Sequence, residues 1–479
     1  MRLEVILKYI GFILLFNGVF LFIAFLISIF NGETSALSLL FTAFICFIFG
    51  FFPMIFVEKI EDLSYNEGIT IVVLSWVITC IIGAIPYLMW GGEFSVINAW
   101  FESVSGFTTT GSSILTDIEV VPKGLLFWRS STHWIGGIGV IMFILLILPY
   151  SQNPRLTLIN TEMSELSKGN FKYQARKILQ VLTYVYVGLT TLETFSLMLA
   201  GMNFFDALNH SFATIATGGF STRNSSIASF NNLGVEIIII VFMTLSGIHF
   251  GLIYGTIIRD KRNIFSSQVV RTYIIFLIIG ALLVAMKLYF SHYFDVGKSI
   301  RYAVFQVVSI GTTTGFATID TNYWPGFTHI ILIYFTIQCA MVGSTSGGLK
   351  FDRVFLFFKS VRKQIKLIYH PRAIIIVKID NKTISEQLER QTMVFLVLYI
   401  FVFFTTTAIL TSMDIDLYTA FSSSITTIGN VGPGFNKVSS MGNFSGLPGV
   451  GKIVLTINML MGRLEIFNII AIFMIKKTF

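Results

Sequence analysis

Apolar runs of membrane length dominate the chain, and between successive pairs of them a shorter amphipathic phrase returns four times. The runs fall near 7–30, 37–57, 69–90, 125–148, 179–201, 235–258, 270–290, 327–358 with an interruption, 393–412 and 450–475. These are helices of the length that crosses a ~30 Å hydrocarbon core, about 20 residues at 1.5 Å each. The phrases are WFESVSGFTTTG (100–111), ALNHSFATIATG (207–218), VFQVVSIGTTTG (304–315) and FSSSITTIGNVG (421–432). Their terminal glycines lie 107, 97 and 117 residues apart, so a unit of roughly a hundred residues recurs in tandem.

Each unit reads as helix, re-entrant segment, helix. A helix of ~12 residues descends ~18 Å, about half the hydrocarbon core, before its glycine turns the chain back. Non-helical backbone at that depth survives only where protein buries it or where it lines water. Four such turns around one axis would form a ring of carbonyl oxygens able to replace the hydration shell of a monovalent cation. The partly negative C-terminal ends of the short helices would favour the same ion. The candidate ion-binding residues are Thr109, Thr110, Gly111, Thr217, Gly218, Thr313, Thr314, Gly315, Asn430, Val431 and Gly432. Glycine permits positive φ and leaves the axis clear of a Cβ, while the threonines, Thr108 and Thr312 included, bring hydroxyls near the constriction. Small residues also pack transmembrane helices, but four occurrences in matching context favour the ring. The fourth departs in its Asn430-Val431 pair and in the following Pro433 and Gly434, which makes the ring asymmetric. The predicted fold is an all-α integral membrane protein with four tandem helix–pore loop–helix repeats around one pore, preceded by two extra helices. The segments are 1–68, 69–150 (repeat 1), 151–260 (repeat 2), 261–391 (repeat 3) and 392–479 (repeat 4).

Composition excludes a soluble alternative. Hydrophobic residues make up 54% of the chain, charged residues 12%, and phenylalanine alone accounts for 49 positions. The first run is too long for a secretory signal and lacks a cleavage pattern, so it reads as a retained helix. Cys46, Cys80 and Cys339 lie singly in apolar segments and form neither a disulfide framework nor a metal site. Basic residues orient the spans. Arg155, Lys168, Lys172, Arg176 and Lys177 share one loop; Arg259, Lys261 and Arg262 a second; Lys359, Arg362, Lys363, Lys366, Arg372, Lys378, Lys382 and Arg390 a third. These loops are expected to be cytoplasmic, with both termini on the same side. The turn containing Glu58, Glu61, Asp62 and Glu67 departs from this bias, although acidic residues contribute little to it. The net charge of +8 is this topological bias, and no nucleic-acid-binding motif accompanies it.

SGFTTTGSS, ATIATGGFST, SIGTTTGFAT and TTIGNVGPGF, with RSSTHWIGGIGVI (129–141), CAMVGSTSGGLKFDR (339–353), HPRAIIIVKIDNKTI (370–384) and MLMGRLEIFNI (459–469), resemble the Trk/Ktr/HKT superfamily of potassium transporters across essentially the whole chain. Within it the two extra leading helices are similar to the bacterial TrkH/TrkG type. The resemblance implies a potassium-selective pore in each subunit of a homodimer in the bacterial inner membrane. It also implies a cytosolic TrkA-like subunit that binds the regulating nucleotide, K+ itself being the transported ion. By position, the family's filter glycines fall on Gly111, Gly218, Gly315 and Gly432.

Two intramembrane features bear on control. Gly343, Ser344, Thr345, Ser346, Gly347 and Gly348 interrupt a span with residues too flexible and polar to stay helical in lipid. A kink would need fewer such residues, and a gate beneath the ring uses them all. Arg463 lies midway along the last run, where a charge costs at least ~2.5 kcal/mol. It is expected at the pore axis as a barrier to cations, or else in an ion pair with another repeat. Glu465 sits on the opposite helical face and is expected to anchor a pore helix through backbone donors. His133 and His210 read as packing residues. Glu102 and Asp206 are placed at pore-helix beginnings, and Asp117 and Asp320 outside the ring where they would concentrate cations. Segment 364–390 alternates in a β-like way and predicts a short hairpin that docks a partner.

No nucleophile–base or metal constellation for an enzyme is present. A proton- or sodium-coupled symporter and a sodium-permeable transporter remain the alternatives to a simple potassium pore. The chain also lacks a nucleotide-binding motif, so the cytoplasmic loops 151–178 and 359–391 are expected to receive the sensing partner.

Overall fold

The computed structural model describes residues 2–57, 64–137, 139, 175–380 and 382–474. Two long apolar helices, α1 (Leu3–Phe30) and α2 (Ala36–Phe56), form a hairpin that packs on the first repeat. Repeat 1 consists of α3 (Tyr65–Trp90), α4 (Val96–Phe107) and α5 (Lys123–Gly137). Repeat 2 contains α6 (Ala175–Leu199), α7 (Phe204–Ile215), α8 (Leu233–Ser246) and α9 (Phe250–Ile257). Repeat 3 contains α10 (Gln268–Phe290), α11 (Val296–Gly311), α12 (Gly326–Gln338) and α13 (Phe351–Tyr369). Repeat 4 contains α14 (Glu386–Thr411), α15 (Leu417–Gly429), α16 (Gly449–Leu464) and α17 (Ile466–Met474).

The expected spans divide into two kinds. Six helices, α1, α2, α3, α6, α10 and α14, are each long and apolar enough to cross a bilayer. The second helices of repeats 2, 3 and 4 come instead in pieces. Helices α8 and α9 meet at 104°, α12 stops at Gln338 before α13 resumes, and α16 passes into α17 through Glu465 at φ +65°. The sequence pattern signalled only the break in repeat 3, because Gly247 with His249, and Gly462 with Arg463, are short interruptions in otherwise apolar runs. Helix α5 is described as far as Gly137; the remainder of its expected span, the turn at 58–63 and most of the basic loop 151–178 lie outside the described residues.

The short helices α4, α7, α11 and α15 stand at the centre. Each second helix packs against its own short helix and against that of the next repeat: α5 on α4 and α7, α8 on α7 and α11, α12 on α11 and α15, α16 on α15 and α4. The last of these contacts closes the ring. Burial is arranged to match: Thr108, Thr109, Thr110, Thr312, Thr313 and Thr314 are fully buried, whereas Phe30, Leu199 and Ile279 on the periphery are exposed. Apolar surface outward with polar groups inward suits a chain whose surroundings are hydrocarbon.

Polar side chains start all four short helices. Ser95, Asn203, Asp295 and Asp416 each accept a hydrogen bond from the backbone N–H three residues on, which satisfies a donor that the first helical turn leaves free. Asp206 lies in the first turn of α7, but Glu102 lies mid-helix in α4, because that helix begins four residues before the repeated phrase. On the side of the basic loops, β1 (Lys378–Ile379) pairs antiparallel with β2 (Lys382–Thr383) in a hairpin shorter than the alternating stretch suggests.

Candidate ion pathway

All four short helices end in the same way. Thr109, Thr217, Thr313 and Asn430 take left-handed backbone with φ of +54°, +54°, +62° and +51°. The following N–H groups, of Thr110, Gly218, Thr314 and Val431, reach back to Ser105, Ala213, Ser309 and Thr426 at 2.8–2.9 Å. With the bonds from the left-handed residues three positions back to Gly106, Thr214, Ile310 and Thr427, at 2.9–3.3 Å, this is a Schellman termination. A β-branched threonine costs about 1–2 kcal/mol in that conformation, so the surrounding packing must hold it there.

The next residue in each repeat is a glycine with positive φ: Gly111 (+81°), Gly219 (+78°), Gly315 (+80°) and Gly432 (+98°). Repeat 2 therefore differs from the reading by phrase alignment. Gly219 holds the position of the other three glycines, and Gly218 corresponds to Thr110, Thr314 and Val431. The close approaches agree. A Cβ on Gly111 would lie 2.0 Å from Gly218 O, one on Gly219 2.0 Å from Thr314 O, one on Gly315 2.2 Å from Val431 O, and one on Gly432 2.6 Å from Thr110 O. Each repeat's carbonyl thus rests on its neighbour's glycine around a closed cycle. The four positive-φ glycines line one cavity of about 80 Å³ at the mouth of the ring.

Side chains fasten this ring from behind. The Thr110 and Thr314 hydroxyls bond to Thr108 and Thr312 at 2.8 Å, and Asn430 Nδ2 donates to Thr110 Oγ1 at 2.9 Å across the repeat boundary. The Thr109 and Thr313 hydroxyls are buried without a hydrogen-bond partner. His133 Nε2 accepts from Phe220 N at 3.2 Å, so its Nδ1 donates to Gly106 O at 2.7 Å, and the imidazole ties repeat 1 to repeat 2. Glu102 and Arg129 form a buried pair at 2.6 Å. The carboxylate also holds Ser113 and Ile114, and the guanidinium reaches Ser221 O at 3.0 Å. Asp206 similarly takes Thr222 Oγ1 and Arg223 on the return segment of repeat 2. Asp117 binds Asn224 and Asp320 caps a short turn; neither lines the cavity at the ring's mouth.

Inward of the ring lies the loop between α12 and α13. Thr345 Oγ1 donates to Ile215 O at 2.9 Å, at the end of α7, while Gly347 and Gly348 abut Asn430 and Gly429, at the end of α15. Repeats 2 and 4 are opposite members of the cycle, so a loop touching both crosses beneath the ring. Arg463 donates to Thr345 O and to Gly136 O and Gly137 O, joining this loop to the end of α5. Gly348 N donates to Gly462 O at 3.0 Å. Glu465, expected to anchor a pore helix, accepts from Arg353 Nη2 at 2.7 Å and so clasps α13 to the break in repeat 4.

With the geometry in place, comparison with known proteins is decisive. Residues 38–478 match the TrkH family, described as a cation transport protein. The chain belongs to the TrkH family. The Trk system potassium uptake protein TrkH of Escherichia coli K12 is 34% identical over 416 residues, 86% of each chain. Its TrkG counterpart from the same strain is 32% identical over 426 residues, covering 86% of this chain and 85% of that protein. The crystal structure of the potassium transporter TrkH from Vibrio parahaemolyticus aligns with a TM-score of 0.89 at 28% identity, covering 100% and 99% of the two chains. The chain is thus a multi-pass membrane transport protein and not an enzyme.

For this TrkH-family chain, sequence reasoning passed over Arg129, Arg353 and the inter-repeat role of Asn430. Charged residues inside apolar runs were the available signal for the two arginines. Nothing local marks Asn430 as a partner of Thr110, which lies 320 residues away.

Proposed function

We propose that the chain takes up potassium through a single pore whose filter is the ring of Thr110, Gly218, Thr314 and Val431 carbonyls seated on the four positive-φ glycines. The closed cycle of carbonyl-on-glycine contacts carries this reading, because preorganised carbonyl oxygens substitute for the water around a monovalent cation. The names of the relatives supply potassium as the ion. Residues 343–348 act as the gate: the loop crosses under the ring and is pinned by Arg463. Arg463 works here as a latch through backbone carbonyls, and its charge opposes cation occupancy of the closed pore.

Two copies and a cytosolic nucleotide-binding subunit of the TrkA type form the working assembly in the bacterial inner membrane, with the basic loops on the cytoplasmic side. The partner docks on the face that includes Arg362, Lys366 and the hairpin. Lys363 is the poorer docking residue, since it already binds Glu389 at 3.2 Å.

Flux of the purified chain in liposomes under imposed potassium, sodium and proton gradients tests the reading. Potassium should move down its own gradient without a sodium or proton gradient; flux that requires either gradient replaces the pore with a symporter. Replacing 343–348 by helix-forming residues should give flux independent of the partner, and Gly315→Ser should lower potassium flux or admit sodium. Parental flux and regulation in both variants would defeat the filter and gate assignments.

A further inference from the structure

At the start of α10, on the side of the basic loops, lies a cavity of about 550 Å³ that the transport reading does not use. Its lining brings together Lys261, Arg262, Arg271 and Lys382 with one carboxylate, Asp380. That carboxylate is already committed, accepting from Ser267 Oγ at 2.8 Å and from Gln268 N at 2.6 Å at the first turn of α10. Lys261, Arg262 and Arg271 form no ion pair with an acidic side chain among the described residues. Four cations gathered around a single carboxylate in a concave site leave a net positive charge, and a further anion relieves their mutual repulsion.

The cavity also opens onto apolar surface. Ile275, itself part of the lining, stands one turn beyond Arg271, and Ile279 stands one turn beyond Ile275 on the same face; both are about half exposed, at 47% and 49%. Helix α10 is one of the membrane-length apolar helices, so this stripe leads from the basic cavity into hydrocarbon. A soluble phosphate would have no use for the stripe.

We infer that this cavity binds the phosphodiester of an anionic phospholipid. The guanidinium groups of Arg262 and Arg271 take the phosphate oxygens, Lys261 adds charge at the rim, and an acyl chain runs along Ile275 and Ile279. Because Asp380 and Lys382 belong to the hairpin region and Arg271 to α10, the bound lipid bridges the two.

Native mass spectrometry of the purified full-length chain, loaded from mixed phosphatidylglycerol–phosphatidylcholine micelles, tests the site. The parent should retain phosphatidylglycerol in preference to phosphatidylcholine. Removing one charge should weaken that preference about fivefold, and Arg262→Gln with Arg271→Gln about thirtyfold. An unchanged preference in the double variant overturns the site. Displacement of the lipid by millimolar inorganic phosphate overturns the lipid assignment and makes the cavity a soluble-phosphate site. Should the double variant not fold, Arg271→Gln alone is read in the same assay, and parental retention there overturns the proposal.

Discussion

At the ring, the turns of all four repeats adopt one backbone conformation, yet just inward repeats 2, 3 and 4 differ in almost every feature. Thr109, Thr217, Thr313 and Asn430 have φ values between +51° and +62°, and the glycines two residues on lie between +78° and +98°. Beneath them, repeat 2 bends by 104° at Gly247–His249, repeat 3 inserts a loop, and repeat 4 turns on Glu465. The outer region needs four equivalent contributions, because a cation sees all of them at once. The proposed gate needs one element that moves and others that hold it, so equivalence in the inner region has no value. Under the proposed function, divergence among repeats separates the part assigned to ion recognition from the part assigned to controlling access.

The largest expected effect tests the equivalence of the ring. Gly219→Ala combines left-handed strain with overlap onto Thr314 O; together these cost about 3 kcal/mol, or roughly a hundredfold in flux. Liposome uptake measures it, and near-parental flux would remove Gly219 from the cycle. Next comes the latch: Arg463→Gln removes charge-assisted bonds to the loop and should raise basal flux about tenfold per folded molecule. Reduced flux in a stable variant would reverse the assignment.

A smaller effect separates holding from conducting. Glu465→Gln weakens the clasp on Arg353 and should cost about 1–3 kcal/mol of stability, seen as a lower melting temperature. The potassium-to-sodium preference should stay constant, and a changed preference would show that the inner region shapes the filter. The smallest change uses the protein's own variation. Thr313→Asn gives repeat 3 the residue that repeat 4 carries in the same left-handed position, where asparagine is better tolerated than threonine. Flux should stay within about twofold; a collapse would mean that the Thr313 hydroxyl, not its backbone, is what the ring requires.

Much of the fold was legible because membrane-length apolar runs and a recurring phrase are local patterns. The break at 343–348 could be read because six successive small or polar residues cannot stay helical in lipid. Those at Gly247 and Glu465 could not, since single glycines and charges also occur in unbroken spans. The short helices are legible in the sequence, but the start of α4 is not: Ser95 caps it, whereas Glu102 lies mid-helix, too far in to serve as a cap, and pairs with Arg129.

The sequence by itself determined the membrane setting, the tandem repetition and the recurring Thr- and Gly-rich turn, since each follows from composition and spacing within a short stretch. Only the tertiary structure decided that Gly219 rather than Gly218 stands with the other glycines, that Arg463 grips carbonyls of Gly136, Gly137 and Thr345, and that Glu465 belongs to Arg353. In the first case two adjacent glycines are chemically identical, and the neighbouring repeat's carbonyl selects between them. In the others a buried charge states only that it needs a partner, and which partner it finds depends on how segments more than a hundred residues apart pack together.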